Sequence, residues 1–343
     1  MRKVFFLLLI FILNGKISSF AQSTEHIDTV KIGFFITSFR NINFASNSFN
    51  ADMWLWLNYK YHNKAELAQM EEEKFDKMEP WFEWVDAIDE NQGGQPAITR
   101  FTQEIDSAKQ LIWKTLKISS PFNKKWDLTK YPFDKQHINI AIESADYESK
   151  KRIIMPDTLL IDPNLMNNEK EWNFSNFKIS DSTIKYATSF GNPNINGSTE
   201  YSRISLSFDI TRQNKWITFF KLFIGILISF LIALSVFFVR PTDLDARFGL
   251  CVGGLFSAVG SKYIVDGIIP VKYQNTLFDN IHNITFFYIL LITAISILSL
   301  NYYESDEIHG VKKSKKIDKI GLIFCSTTYI TTVLLVIYFT YKS

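Results

Sequence analysis

Residues 201–239 read YSRISLSFDITRQNKWITFFKLFIGILISFLIALSVFFV. The first part, up to Thr211, alternates apolar and polar side chains with the period of two that predicts a half-buried β-strand. Residues 216–239 carry a single charge, Lys221, and the run is long enough to cross a bilayer, which takes about 20 residues. The stretch therefore predicts a β domain that ends directly at a membrane-spanning helix.

Three more apolar runs follow, at residues 247–269, 277–300 and 317–341. Together with 216–239 they predict an all-α, four-helix transmembrane domain over residues 215–343. The chain is 47% hydrophobic and 21% charged, which excludes a disordered or wholly soluble protein. Its net charge of +2, with no strongly basic domain, excludes a nucleic-acid partner.

The region before the first span, residues 22–214, predicts an antiparallel all-β sandwich of the immunoglobulin-like kind. Short alternating runs are separated by turn residues such as GNPNINGS at 191–198. The clearest alternating runs are 30–60, 109–118, 137–142 and 201–211. Residues 62–79 differ, because their dense charges predict a solvated helix or loop.

The N-terminus predicts export of this domain. Arg2 and Lys3 precede an apolar run of residues 4–13, and small residues lead to Ala21, as in a secretory signal peptide over residues 1–21. An uncleaved anchor is the alternative, although the run is short for a span. Both ends of the four-helix domain then lie outside, and the loop 301–316 lies inside. That loop carries Lys312, Lys313, Lys315 and Lys316, in agreement with the positive-inside rule.

Neither cysteine chemistry nor metal chemistry is indicated. The two cysteines, Cys251 and Cys325, lie in apolar runs, so the exported domain has no internal disulfide. No cysteine–histidine spacing typical of a metal site occurs, and no nucleophile–base arrangement is visible. We therefore expect no cofactor, no metal and no enzymatic activity.

A series of short motifs resembles the bacterial pentameric ligand-gated ion channels, which belong to the Cys-loop receptor superfamily. YPFDKQ at 131–136 resembles the family signature, and 38–59 resembles its first hairpin. PWFEWVDA at 80–87 and DARFGL at 245–250 resemble a segment of its β domain and the start of its pore helix. These motifs occur in the family's order and cover almost the whole mature chain.

The resemblance implies a homopentamer in the bacterial inner membrane, with the β domain and the C-terminus outside the cytoplasm. It implies that monovalent ions pass through the pore and that a small-molecule or proton agonist of unknown identity opens it. The chain departs from the family at several places. Lys124 and Ile138 occupy the positions of the family's paired cysteines, Gly225 lies where its first span carries a proline, and Ala145 replaces an aromatic of its ligand cage.

The second apolar run carries a stripe with steps of four and three residues, which places its members on one helical face. The stripe consists of Gly249, Gly253, Phe256, Gly260, Tyr263 and Gly267. The resemblance implies that this face lines the pore, with Phe256 as an apolar gate that closes by dewetting. The alternative is helix–helix packing, since small residues at this spacing let helix backbones approach closely.

Asp245 precedes this stripe at the predicted inner mouth of the pore. Five copies would form a carboxylate ring that attracts cations. A solvated loop charge, paired with Arg247 or Arg240, is the alternative. Asp266 predicts a second ring at the outer end by the same reasoning. Ala246 argues against cation selectivity, since anion-selective members of the family often have alanine beside this position.

Coupling between the two domains is predicted for Asp134, Arg212 and Pro270. In the family the arginine before the first span pairs with the aspartate of the PFD motif, and the proline lies in the loop after the pore helix. A partly buried Arg–carboxylate pair is geometrically specific, and its loss leaves an uncompensated charge. Two unrelated charges at the interfacial rim are the alternative.

A ligand cage is predicted from aromatic residues at the family's binding positions: Trp54, Tyr147, Tyr186, Phe190 and Tyr201. Aromatic faces bind cations and amines. Core packing is the competing explanation, because 15% of the chain is aromatic. A non-conducting membrane receptor with the same fold is the second functional hypothesis.

Overall fold

The structure is a computed structural model that describes residues 28–62, 82–88, 97–144, 152–163, 165, 170–191, 193, 197–269, 275–304 and 309–342. The predicted signal peptide over residues 1–21, most of the charged segment 62–79, Tyr147 and Pro270 lie outside the described residues.

The N-terminal region is a sandwich of two sheets. Its strands are β1 Asp28–Asn43, β2 Ser48–Lys60, β3 Phe82–Trp84, β4 Ala97–Asp106, β5 Leu111–Asn123, β6 Lys135–Ser144, β7 Arg152–Ile161, β8 Trp172–Tyr186 and β9 Thr199–Arg212. One sheet has the order β4-β5-β2-β1-β7 and the other has the order β3-β6-β9-β8. All described pairings are antiparallel except β1 with β7. The predicted β-sandwich is confirmed.

Alternating burial along the strands builds the core between the sheets. Every second residue of β2 is buried from Phe49 to Tyr59, and β5 follows the same pattern. Side chains such as Phe34, Met53, Phe122 and Phe208 meet there with almost no exposed surface. Burial of this apolar surface contributes on the order of 25 cal/mol per Å². The alternation seen in the sequence thus fixes which face of each strand points inward.

Four helices follow, each long and apolar enough to cross a membrane, so the chain is a multi-pass membrane protein. They are α1 Lys215–Leu234, α2 Leu244–Ile268, α3 Leu277–Glu304 and α4 Gly310–Lys342. A short 3-10 turn, Ser235–Phe238, completes the first span. The predicted helical domain is confirmed.

The fourth helix begins earlier than the apolar run indicates. It starts at Gly310 and includes the lysine-rich segment that we predict as a loop. Its first turns pack on α3, where Ser314 Oγ lies 2.7 Å from Ser299 Oγ. At 1.5 Å per residue the 33-residue helix is about 50 Å long, so it extends beyond the ~30 Å hydrocarbon layer.

The sandwich and the helices meet through the loop that carries the PFD motif. Phe133 contacts the rings of Trp216 and Phe219 on α1 and of Tyr341 at the end of α4, with centroids 4.7, 5.7 and 5.8 Å apart. The backbone N–H of Leu277 at the start of α3 donates to the carbonyl of Thr129, at 3.1 Å. Gly267 and Ile268 at the end of α2 line one cavity together with Arg212 at the end of β9. We call the end of the helical domain that contacts the sandwich the outer end, and the opposite end the inner end.

Candidate functional site

The predicted pore-lining stripe of α2 is exposed along its whole length in the single chain. Phe256 and Tyr263 keep 71% and 75% of their surface accessible. A Cβ atom added at Gly249, Gly253, Gly260 or Gly267 would have no neighbour within 4 Å. The stripe therefore does not pack against the described helices of its own chain.

The opposite face of α2 packs tightly on α1 and α3. A Cβ atom at Gly254 would lie 2.9 Å from the carbonyl oxygen of Ser229 and 3.1 Å from the Cβ of Ala233. The Ser229 hydroxyl donates to Ser257 on α2, at 2.8 Å. Close helix approach thus depends on Gly254, which lies beside the stripe and not within it.

The inner end of α2 holds a buried ion pair that the sequence reasoning missed. Arg247 donates to both carboxylate oxygens of Asp318 on α4, at 2.6 and 3.3 Å, and to the Ser296 hydroxyl on α3, at 3.2 Å. It also donates to the carbonyl of Val239, at 2.7 Å. A bidentate pair of this kind is strong and specific in geometry. It connects α2, α3, α4 and the end of the first span.

Asp245 lies near this pair but takes no part in it. Its side chain is exposed, and none of the described basic residues lies within ion-pair distance of its carboxylate. The alternative in which Arg247 or Arg240 neutralises Asp245 does not occur in the single chain, because Arg247 is bound to Asp318. Asp245 is left free to face the space in front of the stripe.

The outer end of α2 is tied to the start of α3. Lys262 donates to Asp266 one turn further along α2, at 2.7 Å, and to Asp279 on α3. Asp279 also accepts from the backbone N–H and the hydroxyl of Thr276, while its own N–H donates back to that hydroxyl. This reciprocal cap satisfies donors at the helix start. Asp266 shares its charge with Lys262, so it is a weaker candidate than Asp245 for a ring of free carboxylates.

The predicted direct pair between Arg212 and Asp134 does not form. Asp134 is buried and accepts from Gln136 at 2.6 Å through one oxygen, and its other oxygen has no hydrogen-bond partner among the described residues. Burial raises the pKa of Asp134, and the Gln136 hydrogen bond and the charge of Arg212 offset this in part. The two groups interact through space without a hydrogen bond, because aromatic rings surround the guanidinium.

Those rings form what we call the Arg212 cage: Phe44, Tyr131 and Trp172. Their centroids lie 5.3, 4.7 and 4.3 Å from the central carbon of the guanidinium, within the range of cation–π attraction. The three rings come from the β1–β2 turn, the PFD loop and the start of β8. No sequence signal joins them, because the residues are distant in the chain and aromatics are common throughout it.

Three of the predicted ligand-cage aromatics come together on β8, β9 and the turn between them. The ring centroids of Tyr186, Phe190 and Tyr201 lie 5.6 to 6.2 Å apart. Phe190 is 63% exposed and has a positive φ of 50°. We call these three residues the aromatic triad.

Two residues that the prediction did not include, Glu143 and Arg203, hold the Tyr186 ring of the triad in place. The Tyr186 hydroxyl donates to Glu143 at 2.8 Å, and Arg203 donates to the same carboxylate at 2.7 Å. Burial raises the pKa of Tyr186, and its hydrogen bond to Glu143 raises it further. Because Arg203 neutralises Glu143, the triad offers ring faces and not a free carboxylate.

Trp54 is not part of the triad. It lies on β2 of the five-stranded sheet, with Lys117 Nζ 5.7 Å above its ring. Within one chain, Trp54 and the triad therefore belong to different sheets. The described part of the chain contains no group of three or more His, Cys, Asp or Glu side chains that could hold a metal ion.

The chain matches no protein-family model, and none of the curated proteins is significantly similar to it. The geometry of the sites is therefore the basis for any functional assignment.

Proposed function

We propose that the chain assembles as a homopentameric ligand-gated ion channel in a bacterial inner membrane. Five α2 helices would surround the pore, and the β-sandwich would lie outside the cytoplasm. The observation that supports this most is the bare stripe of α2. Glycine costs about 1 kcal/mol relative to alanine inside a helix, and the four stripe glycines make no contact in their own chain that would require it.

A central pore would explain why glycines occur at these positions. Small side chains on the pore face leave room for ions and water, while Phe256 extends from the same face in the middle of the span. Five phenyl rings at one level exclude water over a short distance and so close the channel. The free carboxylate of Asp245 at the inner end supports selectivity for monovalent cations.

The stimulus would act on the sandwich and reach the pore through the junction. The aromatic triad supports binding of a small molecule, since its Tyr186 ring is held by the Glu143–Arg203 pair and its Phe190 ring is exposed. Ligand binding changes the closed–open equilibrium only to the extent that the ligand prefers one state. Phe133, which contacts α1 and α4, lies in the loop that would carry the change to the helices.

The bare stripe also supports a second candidate, a non-conducting receptor in which five α2 helices pack shut on their glycines. Small residues at four-residue spacing favour such close packing in membranes. Native mass spectrometry of the detergent-purified protein tests the assembly that both candidates need. A pentamer supports either of them, and a monomer across several mild detergents would contradict both.

Recording of ionic current in planar bilayers separates the two candidates. Phe256→Ser should wet the constriction and raise the resting conductance, because the apolar barrier is gone. Phe287→Ser is the matched control: Phe287 lies on α3 and is 61% exposed in the single chain, but it is not on the stripe. If the wild type conducts, equal resting currents in the wild type and in both variants would place the gate elsewhere. Absence of current in all three proteins would support the non-conducting receptor.

A further inference from the structure

A cavity of about 840 Å³ lies where the sandwich meets the outer end of the helices. Its walls are the β1–β2 turn with Asn41 and Phe44, the PFD loop, the start of β8, the end of β9 and the last turn of α2 at Gly267 and Ile268. Small-molecule sites usually measure about 300–1,000 Å³, so the cavity has the size of a binding site. Because α2 is one of the four candidate spans and ends at Ile268, the cavity lies at the end of a membrane-spanning segment.

Three charged residues line this cavity: Arg212, Arg40 and Glu171. Among the residues that the structure describes, none accepts a hydrogen bond from the guanidinium of Arg212, and its Nε atom is buried without a partner. The Arg212 cage attracts the positive charge through the ring faces, but a ring face does not replace an oxygen acceptor at the edge of the guanidinium. The guanidinium of Arg212 thus has ring faces but no oxygen acceptor among the described residues.

The other buried or cavity-lining arginines differ from Arg212 in this respect. Arg203 and Arg247 each have a carboxylate oxygen at 2.6 Å, from Glu143 and Asp318. Arg40, which lines the same cavity, has Asp52 at 2.6 Å. A partly buried charge without a hydrogen-bonding partner is costly. These three arginines have a carboxylate partner, whereas Arg212 has none among the described residues.

We propose that this cavity binds an oxyanion, a carboxylate or phosphate group, through the fork of Arg212. The guanidinium is planar and matches both groups with two parallel N–H···O bonds. The cage fixes its orientation in advance, which reduces the entropy lost on binding. The anion comes either from a lipid headgroup at the outer membrane surface or from a soluble amphiphile. This proposal does not depend on channel activity.

Binding of phosphatidylglycerol tests the lipid source. The full chain is purified in detergent with added phosphatidylglycerol or phosphatidylcholine, and native mass spectrometry counts the lipids that each assembly retains. The wild type should retain phosphatidylglycerol in preference to phosphatidylcholine. Arg212→Gln should weaken this retention about tenfold or more, as expected for the loss of a charge-assisted fork.

Titration with inorganic phosphate and with octanoate tests the soluble source. The protein is held in nanodiscs of phosphatidylcholine alone, and the readout is the tryptophan fluorescence that Trp172 contributes, obtained by subtraction of a Trp172→Phe variant. A saturable change in the wild type that is lost in Arg212→Gln supports the soluble source. Retention of phosphatidylglycerol without such a change supports the lipid source.

Arg100→Gln is the matched control, because Arg100 is an exposed arginine on β4 that does not line the cavity. It should leave both readouts unchanged. Phe44→Leu removes one ring of the cage, keeps Arg212 and weakens binding severalfold, so it decides the matter if Arg212→Gln does not fold. The proposal is overturned if Arg212→Gln and Phe44→Leu bind as the wild type does, if Arg100→Gln weakens binding as much as they do, or if the wild type binds neither source.

Discussion

Two arginines near opposite ends of the helical domain have different surroundings: Arg247 is buried within the helices, and Arg212 is partly buried at the end of β9. At the inner end, Arg247 has a carboxylate, a hydroxyl and a carbonyl as acceptors, and it connects three helices. At the outer end, Arg212 has three aromatic rings, no described acceptor and a cavity in front of it. Hydrogen bonds therefore fix the helices to one another at the inner end, whereas Arg212 at the outer end can still bind a further group or change its position.

The same contrast runs along α2 between its two faces. Gly254 is required because the backbone of α1 leaves no room for a side chain, while Gly253 beside it faces open space. Packing within the chain therefore requires glycine at position 254 but not at position 253. Residues that packing within the single chain does not require, such as Gly253, are the ones that a partner copy, an ion or a ligand would contact.

The largest expected effect is at the inner end. Asp318→Ala leaves the buried guanidinium of Arg247 without its carboxylate, and we expect the free energy of unfolding to fall by about 3–5 kcal/mol. Thermal unfolding in detergent, followed by circular dichroism, measures it. Asp245→Ala is the control at the same end of α2, and it should change stability by less than about 0.5 kcal/mol because Asp245 is exposed and unpaired. Equal losses of stability in the two variants would mean that the buried Arg247–Asp318 pair contributes no more to stability than an exposed carboxylate does.

The two neighbouring glycines give the next largest effect. Gly254→Ala forces a Cβ to within 2.9 Å of the Ser229 carbonyl and should destabilise the protein by about 1–3 kcal/mol. Gly253→Ala meets nothing within 4 Å and should raise helix stability by up to about 1 kcal/mol. Unfolding curves of both variants in the same detergent compare them directly. A destabilised Gly253→Ala variant would show that the stripe packs against something, such as a neighbouring copy.

Much of the architecture could be predicted from the sequence, and the reason is periodicity. Alternation in the strands and apolar runs of sufficient length in the helices are local properties, so they predicted the sandwich and four spans. The predicted start of α4 was wrong because a run of lysines resembles a loop. The first turns of this helix are in fact held by contacts with Ser299 on α3 and Arg247 on α2.

The side-chain contacts could be predicted less well, because they depend on residues far apart in the chain. The pairing of Arg247 with Asp318 spans 71 positions, so proximity in sequence pointed to Asp245 instead. The Arg212 cage likewise draws on three separate segments. The resemblance to the channel family named Tyr186, Phe190 and Tyr201, and they lie together because β8 and β9 pair and one turn connects these strands. Their role as a ligand cage stays a prediction.

The outer end should show a smaller effect than either change above. In a double-mutant cycle of Arg212→Gln and Asp134→Asn, we expect a coupling energy below about 1 kcal/mol in unfolding, because no hydrogen bond joins the two side chains in this state. A coupling of 2 kcal/mol or more, on the scale of a direct buried pair, would show that they meet in the folded protein in solution.

Asp134 also makes a prediction about pH. Its folded-state pKa is raised above the ordinary value of 3.8 by burial, so the folded protein binds a proton more readily than the unfolded chain does. The free energy of unfolding should therefore increase as the pH falls through this raised pKa, down to about the ordinary value. Asp134→Asn removes the titrating group and should lack this increase when unfolding is measured across the same pH series. An unchanged pH profile would assign the increase to other groups.

The smallest expected effect concerns ion selectivity at the bare face. Asp245 is exposed, so water screens its carboxylate, and unit charges about 4 Å apart in water interact by only about 1 kcal/mol. Asp245→Asn should therefore lower the cation-over-anion permeability ratio by roughly fivefold at most, and the change should shrink as salt shortens the Debye length. Reversal potentials under a salt gradient, at low and high ionic strength, measure both features.

Asp266→Asn is the matched change at the other end of α2, and its effect should be smaller still because Asp266 already forms an ion pair with Lys262. A wild-type channel that reverses at the chloride potential would contradict the cation assignment while leaving the pore itself in place.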